Sequence, residues 1–282
     1  MTARGAEPVV LITGCSSGIG EALADELHRR PYRCFASARR VEDVRDLEQR
    51  GLEAVRLDVN EAESVESAVA AVLARAGRID MLINNAGVSM FGPLAEADMA
   101  QVERLFGTNL FGVLRLTQAV FPHMAGRRSG RIVNVGSMVG SVPTPFVGAY
   151  AAAKAGLHML SEVLRMEVEP FGIDVVLVQS GAVRSAVVRN SLLAGVPPRS
   201  GESLYGAAAD GIRRRSEASQ DSPMEAAVFA RRLADLLGRP RAPRTVRLGA
   251  GVAFLPMLER LPGVLRDRLF ARRFGLDRLR RS

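Results

Sequence analysis

Short apolar runs alternate with helix-period stretches along most of this chain, and that alternation restricts the fold more than any other feature. Residues 9–13 (VVLIT), 34–38 (CFASA), 54–59 (AVRLDV), 79–84, 131–137 (RIVNVGS) and 173–181 (IDVVLVQSG) read as buried strands. Helical spacing fills the intervals at about 18–30, 61–75, 99–124 and 150–169. Strands of about five residues separated by longer helices define βαβ units, and their right-handed crossovers build a parallel sheet. The expected architecture is α/β: a doubly wound parallel sheet with helices on both faces, in a single domain. In such a sheet ligands bind beyond the carboxyl ends of the strands. The unusual polar motifs of this sequence fall at those ends. Residues 223–238 add a helix with proline near its start and glycine at its end, and TVRLG near Thr245 reads as an edge strand.

Charge and cysteine content narrow the function classes. The 282 residues carry a formal charge of +8, but twelve arginines against three acids lie from Arg239 onward, more than the whole excess. The rest of the chain is near neutral, which argues against a basic nucleic-acid groove in the main domain, and no recognition-helix or zinc-finger pattern is present. Two cysteines, Cys15 and Cys34, make no disulfide framework, and three scattered histidines offer no metal site. The opening MTARGAEPVV does not read as a signal peptide, and no apolar run reaches transmembrane length. A reduced, cytoplasmic protein is the expectation.

The segment Thr13-Gly14-Cys15-Ser16-Ser17-Gly18-Ile19-Gly20 joins the first strand to the first helix. Glycine permits the tight turn and lets the backbone approach a pyrophosphate, while the helix start presents unpaired N–H groups to the same anion. Ser16 and Ser17 add hydroxyl donors. A site preferring the unphosphorylated ribose places an acid near the end of the second strand. Here that end reads Ala36-Ser37-Ala38-Arg39-Arg40, with no acid. Arg39 is therefore the candidate for the 2′-phosphate of NADP, a solvated helix cap being the alternative. Asp58 and Val59 either receive the adenine or, for Asp58, form a turn.

Tyr150 and Lys154 stand four residues apart on one helix face, amid alanines at 149, 151, 152, 153 and 155. Ser137 closes the fifth strand, and Asn109 sits within the long preceding helix. A carbonyl accepting hydride needs a proton, which Tyr150 can supply while Ser137 hydrogen-bonds the same oxygen. A nearby lysine cation favours the phenolate and can hold ribose hydroxyls. Asn109 would fix a water beside Lys154.

With these residues in order, the sequence resembles the classical short-chain dehydrogenase/reductase family from about residue 9 to 252. TGCSSGIG resembles the family's cofactor turn, and Asn84-Asn85-Ala86-Gly87 its motif after the fourth strand. Asn109, Ser137, Tyr150 and Lys154 match the catalytic tetrad. The resemblance implies a Rossmann-type fold, a nicotinamide cofactor contacted by Gly14, Ser16, Ser17, Gly18, Ile19 and Gly20 and by Asn85, Ala86 and Gly87, and a homodimer or homotetramer. Cys15 and the ASARR segment are similar to the branch of seventeen-beta-hydroxysteroid and retinol dehydrogenases, which implies NADP(H) and a bulky apolar alcohol or ketone. One departure stands after the sixth strand, where Ser180 replaces the usual proline before Gly181. Backbone near Gly181 and Val183 can still hold the carboxamide.

Residues 1–252 are expected to form the catalytic domain, with a lid at 183–222. Substrate is expected to meet Ser137, Val142, Phe146, Tyr150, Val187 and Leu192. Residues 253–282 form a basic amphipathic extension, broken by Pro256 and Pro262, that packs on its own sheet or a partner subunit; peripheral contact with an anionic membrane is the lesser reading. Two further readings are an NAD-dependent alcohol dehydrogenase of the same fold and a non-catalytic cofactor-binding scaffold.

Overall fold

The computed structural model describes residues 7–185 and 203–281. In chain order, β1 (Val9–Ile12), α1 (Gly18–His28), β2 (Arg33–Ala38), α2 (Arg45–Gln49), β3 (Glu53–Arg56), α3 (Ala62–Ala76) and β4 (Met81–Asn84) form the first half. Then come α4 (Met99–Phe106), α5 (Gly112–Gly126), β5 (Gly130–Ser137), α6 (Gly148–Val168) and β6 (Ile173–Ser180). The chain continues with α7 (Ala209–Glu217), α8 (Ala226–Leu237), β7 (Thr245–Leu248), α9 (Leu255–Arg260) and α10 (Gly263–Phe274). The strands pair in parallel in the order β3-β2-β1-β4-β5-β6-β7. The order reverses between β1 and β4, which opens a crevice at their carboxyl ends.

Side chains of a strand point alternately to opposite faces, and β1 divides accordingly. Val10 and Ile12 join Leu23, Leu27, Phe229 and Leu233 of α1 and α8 on one face. Val9 and Leu11 join Val65, Val72, Leu116 and Val120 of α3 and α5 on the other. With helices on both sides, strands buried on both faces read as continuous apolar runs. A buried polar relay crosses the second face. Asn84 donates to Asn134 (2.9 Å), Asn134 to Ser161 (2.9 Å) and Ser161 to the Leu157 carbonyl (2.7 Å), tying β4, β5 and α6 together. Each member donates to the next, although Asn84 Oδ1 is left without a partner among the described residues.

Two elements differ from the sequence expectation. The third strand stops at Arg56, because Ser64 Oγ accepts from the Asp58 N–H (2.9 Å) and Asp58 Oδ1 accepts from the Asn60 N–H (3.0 Å), forming a turn. The helix expected at 99–124 is interrupted by a π-helical turn at Gly107–Phe111. That turn carries Asn109 inward to full burial. Widened turns of this kind insert a residue without breaking the helix and recur at functional sites.

The tail folds back onto the chain. Pro262 caps α10, whose Phe270 and Phe274 pack with Val142, Phe146, Ala208 and Ile212. The extension thus lies on α7 and the segment after β5, not on the sheet. Its approach is close: a Cβ at Gly211 would stand 1.7 Å from the Phe274 carbonyl oxygen. Gly211→Val should therefore lift α10 from α7 and raise tryptic cleavage in the tail by about tenfold or more, as expected for a locally opened segment. An unchanged cleavage rate would mean that docking does not depend on this approach.

Candidate active site

A cavity of about 1100 Å³ opens at the carboxyl ends of the strands. The glycine turn forms one wall. Gly14 and Gly18 adopt φ of +72° and +64°, the left-handed region where a side chain is strained. A Cβ on Gly20 would lie 2.2 Å from the Gly14 carbonyl oxygen, so this position admits no side chain without shifting the turn. Ser17 occupies the N-cap of α1 without a side-chain capping bond. The first N–H groups of the helix, at Gly18 and Ile19, thus stand at the cavity wall as anion donors.

Thr13 fixes this turn to β4. Its hydroxyl accepts from the N–H groups of Asn85 and Ala86, both at 2.9 Å, and the Asn85 amide donates to the carbonyls of Thr13 (2.9 Å) and Gly14 (3.2 Å). Asn85, Ala86 and Gly87 consequently line the cavity beside Gly14. Arg39, exposed and without an ion pair among the described residues, also reaches the wall. Its neighbour Arg40 is bound to Asp43 at 2.7 Å. The two arginines are therefore not equivalent, and Arg39 is the one left for an anion. Asp58 and Val59 line the same wall, although Asp58 is also a turn acid.

At the other end Ser137, Tyr150 and Lys154 meet. The Ser137 hydroxyl and the Tyr150 phenol line the same part of the site, and Ser137 lowers the proton affinity of the phenol. Lys154 is 4% exposed; its Nζ donates to the Val135 carbonyl (2.8 Å) and lies 5.8 Å from the Tyr150 ring centre. Burial pulls the lysine down to about 8. Burial also pushes the phenol up, against Ser137 and the charge of Arg215, which lower it. Lys154 is expected from its spacing to lower the phenol as well. Arg215 adds a cationic charge that lowers the phenol, while the Lys154 ammonium donates to the β5 carbonyl of Val135.

Asn109 holds the wall from behind. Its Oδ1 accepts from the Val88 N–H (2.9 Å) and its Nδ2 donates to the Val88 carbonyl (2.8 Å). The residue thus grips the loop after Gly87, where a Cβ would stand 3.1 Å from Asn109 Oδ1 and 3.8 Å from Lys154 Nζ. Gly181 and Val183 reach the cavity past β6; Gly181 donates its N–H to Leu248 (2.7 Å), and Ser180 Oγ donates to the Gly136 carbonyl (2.9 Å). That bond anchors the backbone where the proline is missing.

Val142 and Phe146, expected to touch substrate, lie instead in the apolar layer under α7 and α10, with Phe146 edge-on to Tyr205. The turn after β5 aims Thr144 and Val147 at the cavity in their place. Val187 and Leu192 fall outside the described residues. The sequence reading missed Phe91 and Arg215, both at the cavity wall. The one available signal was an arginine three residues after Ile212, on the buried side of an otherwise charged helix. Cys15 and Cys34 are buried free thiols, both pushed up to about 12 by burial, and take no part. Among the described residues, no His/Cys/Asp/Glu cluster suits a metal.

A glycine cradle at a helix start, facing a buried Ser–Tyr–Lys group across one cavity at the switch point of a doubly wound sheet, defines a dinucleotide-dependent oxidoreductase site. Comparison with known proteins agrees. The family model described as short chain dehydrogenase matches residues 8–208. The chain is 40% identical over 184 residues to the NADPH-dependent 1-acyldihydroxyacetone phosphate reductase of Schizosaccharomyces pombe, covering 64% of this chain and 62% of that protein. It is 35% identical over 275 residues to the short-chain dehydrogenase ptmH of Penicillium ochrochloron, covering 95% and 98%. A crystallised short-chain dehydrogenase from Streptomyces avermitilis, 32% identical, superposes with a TM-score of 0.78 over 98% of each chain. The chain belongs to the short-chain dehydrogenase family and is an NAD(P)(H)-dependent oxidoreductase.

The burial of Lys154 has a measurable cost. Its folded pKa lies below the ordinary 10.5, so the charged form is penalised in the fold. The penalty is full below about pH 8 and fades as pH rises from there toward 10.5. Lys154→Met should raise the stability of the cofactor-free protein at pH 7 by roughly 1–3 kcal/mol in urea unfolding, with a gain that shrinks above pH 8. A net loss at pH 7 would show that the bond to Val135 outweighs desolvation.

Proposed function

We propose that this protein reduces a ketone of a bulky, largely apolar substrate with NADPH, Tyr150 acting as the proton donor. The observation that carries this reading is the convergence of Tyr150, Ser137 and Lys154 with the glycine turn in one cavity. When bound, the nicotinamide supplies hydride to the carbonyl carbon. The protein supplies position and a proton. Ser137 hydrogen-bonds the carbonyl oxygen and orients it toward Tyr150. A phenol held up by burial is fully protonated near neutrality, the form required to donate. After donation, Ser137 and the charge of Arg215 stabilise the phenolate. Lys154, still largely cationic at pH 7, holds ribose hydroxyls, and Asn109 keeps the Gly87–Val88 wall in place.

The preference for NADP(H) rests on Arg39, which has no ion pair among the described residues, and on the absence of an acid at the close of β2. The NADPH-dependent relative from Schizosaccharomyces pombe supports it. An apolar substrate is supported by Phe91, Leu258 and Phe270 at the opposite end, in keeping with the hydroxysteroid- and retinol-dehydrogenase branch that the sequence resembles. The exposed apolar face of α6, with Met159, Val163 and Met166, supports association of copies through that helix. Among the described residues no helix is long and apolar enough to cross a membrane.

Tyr150→Phe should reduce kcat on bulky cyclic ketones by about a thousandfold or more while leaving NADPH affinity within about threefold. Near-normal turnover would remove Tyr150 from the proton path. Arg39→Asp should weaken NADPH by about tenfold or more and NADH far less, read from fluorescence titrations. Equal losses for both cofactors would assign the 2′-phosphate elsewhere.

A further inference from the structure

Arg215 is a buried cation with no counter-ion among the described residues. It is 8% exposed, forms no ion pair among the described residues, and its Nε is buried with no hydrogen-bond partner. Its guanidinium carbon stands 5.9 Å from the centre of the Phe91 ring, and both residues line the cavity that holds Tyr150 and Ser137. A guanidinium taken from water and left unpaired is costly. Burial accordingly pulls Arg215 down to about 10, and the neighbouring charge of Arg273 adds to the effect. Arg273 also lines the cavity and also lacks an ion pair among the described residues. Other arginines of the fold show the contrast: Arg30, Arg33 and Arg131 each bind a carboxylate at 2.8 Å or less.

The position of Arg215 separates it from the cofactor's pyrophosphate. Its helix, α7, packs through Ile212 on Val142, Phe146 and Phe270, over the chain that follows β5. The anion cradle of the cofactor is the glycine turn at the start of α1, built by other elements of the cavity wall, whereas the charge of Arg215 acts on the Tyr150 phenol. Phe91 stands against Arg215, and Leu258, Phe270 and Phe274 line the same cavity together with Ser219, Gln220 and Asp221.

We infer that Arg215, seconded by Arg273, is the binding site for an oxyanion group on the substrate, so that the natural substrate is an apolar carbonyl compound bearing a carboxylate or a phosphate. The guanidinium fork suits both groups, since each presents two oxygens in a plane with its donors. The apolar wall takes the hydrocarbon body between the anion and the reacting carbonyl. The inference rests on the proposed carbonyl reduction only for its account of that reacting end.

The test separates the two readings by measuring binding apart from turnover. Decanoate, decyl phosphate and the neutral decanol would be titrated into the NADP-loaded protein by calorimetry. One or both anions should bind about tenfold or more tighter than decanol, the better of the two naming the group. Arg215→Leu should abolish that advantage and leave decanol and NADPH affinities within about threefold, while Arg215→Lys should retain part of it. In parallel, oxo fatty acids, their methyl esters and matched oxoalkyl phosphates would be assayed with NADPH. Wild-type protein should favour an anionic member over the ester in kcat/KM, and Arg215→Leu should erase the difference. Equal binding of decanol and both anions, or a loss of NADPH affinity in Arg215→Leu, would overturn the inference. Selective anion binding without turnover of any ketone would leave the anion site standing and overturn the reduction instead.

Discussion

The clamp between Thr13 and Asn85 is the contact on which the site depends. A turn with glycines at 14, 18 and 20 has few side chains with which to hold its own shape, so much of its conformation is imposed from outside. Thr13 accepts two backbone N–H groups from the end of β4, and Asn85 returns two bonds to the turn. The topological reversal places β1 and β4 side by side, which makes this exchange available. Register then does the rest. Once the ends of these strands are locked, β5 and α6 follow through the Asn84–Asn134–Ser161 relay, and Ser137, Tyr150 and Lys154 are delivered to the same cavity.

Electrostatics at the reacting end is governed by burial more than by pairing. Lys154, Tyr150 and Arg215 each lose hydration, and in each the loss is the largest influence on its proton affinity. The consequences differ in sign because the charged forms differ: burial keeps the phenol neutral and weakens the hold of the two bases on their protons. A neutral donor beside two strained cations is an arrangement prepared for negative charge to arrive. The protein accepts a less stable site in return for one that needs little reorganisation.

Much of this was legible in the residues. Runs such as VVLIT and IDVVLVQSG have no polar alternation, because β1 and β6 are covered on both faces, and the doubly wound sheet followed directly from them. Tyr150, Lys154 and Ser137 stood out because polar groups there interrupt patterns that otherwise favour packing. What stayed hidden depended on turn geometry or on contacts distant in sequence. A π-helical turn at Gly107–Phe111 has the same apolar spacing on either side as an unbroken helix. Phe146 takes φ of +63°, so the loop after β5 sends Val142 and Phe146 into the layer beneath α7 and leaves Thr144 and Val147 facing the cavity. Only its spacing from Ile212 set Arg215 apart from its neighbours Arg213 and Arg214, and its burial depends on the docking of α7.

The docking of α10 on α7 divides the labour of the cavity between two parts of the chain. One end is built by β1, α1 and β4 near the start of the sequence; the other is roofed by helices that come after the sheet is nearly complete. Substitutions in the roof can therefore change what is admitted without disturbing the strand register that holds the dinucleotide cradle. A scaffold organised in this way can diversify its diet while its chemistry stays fixed.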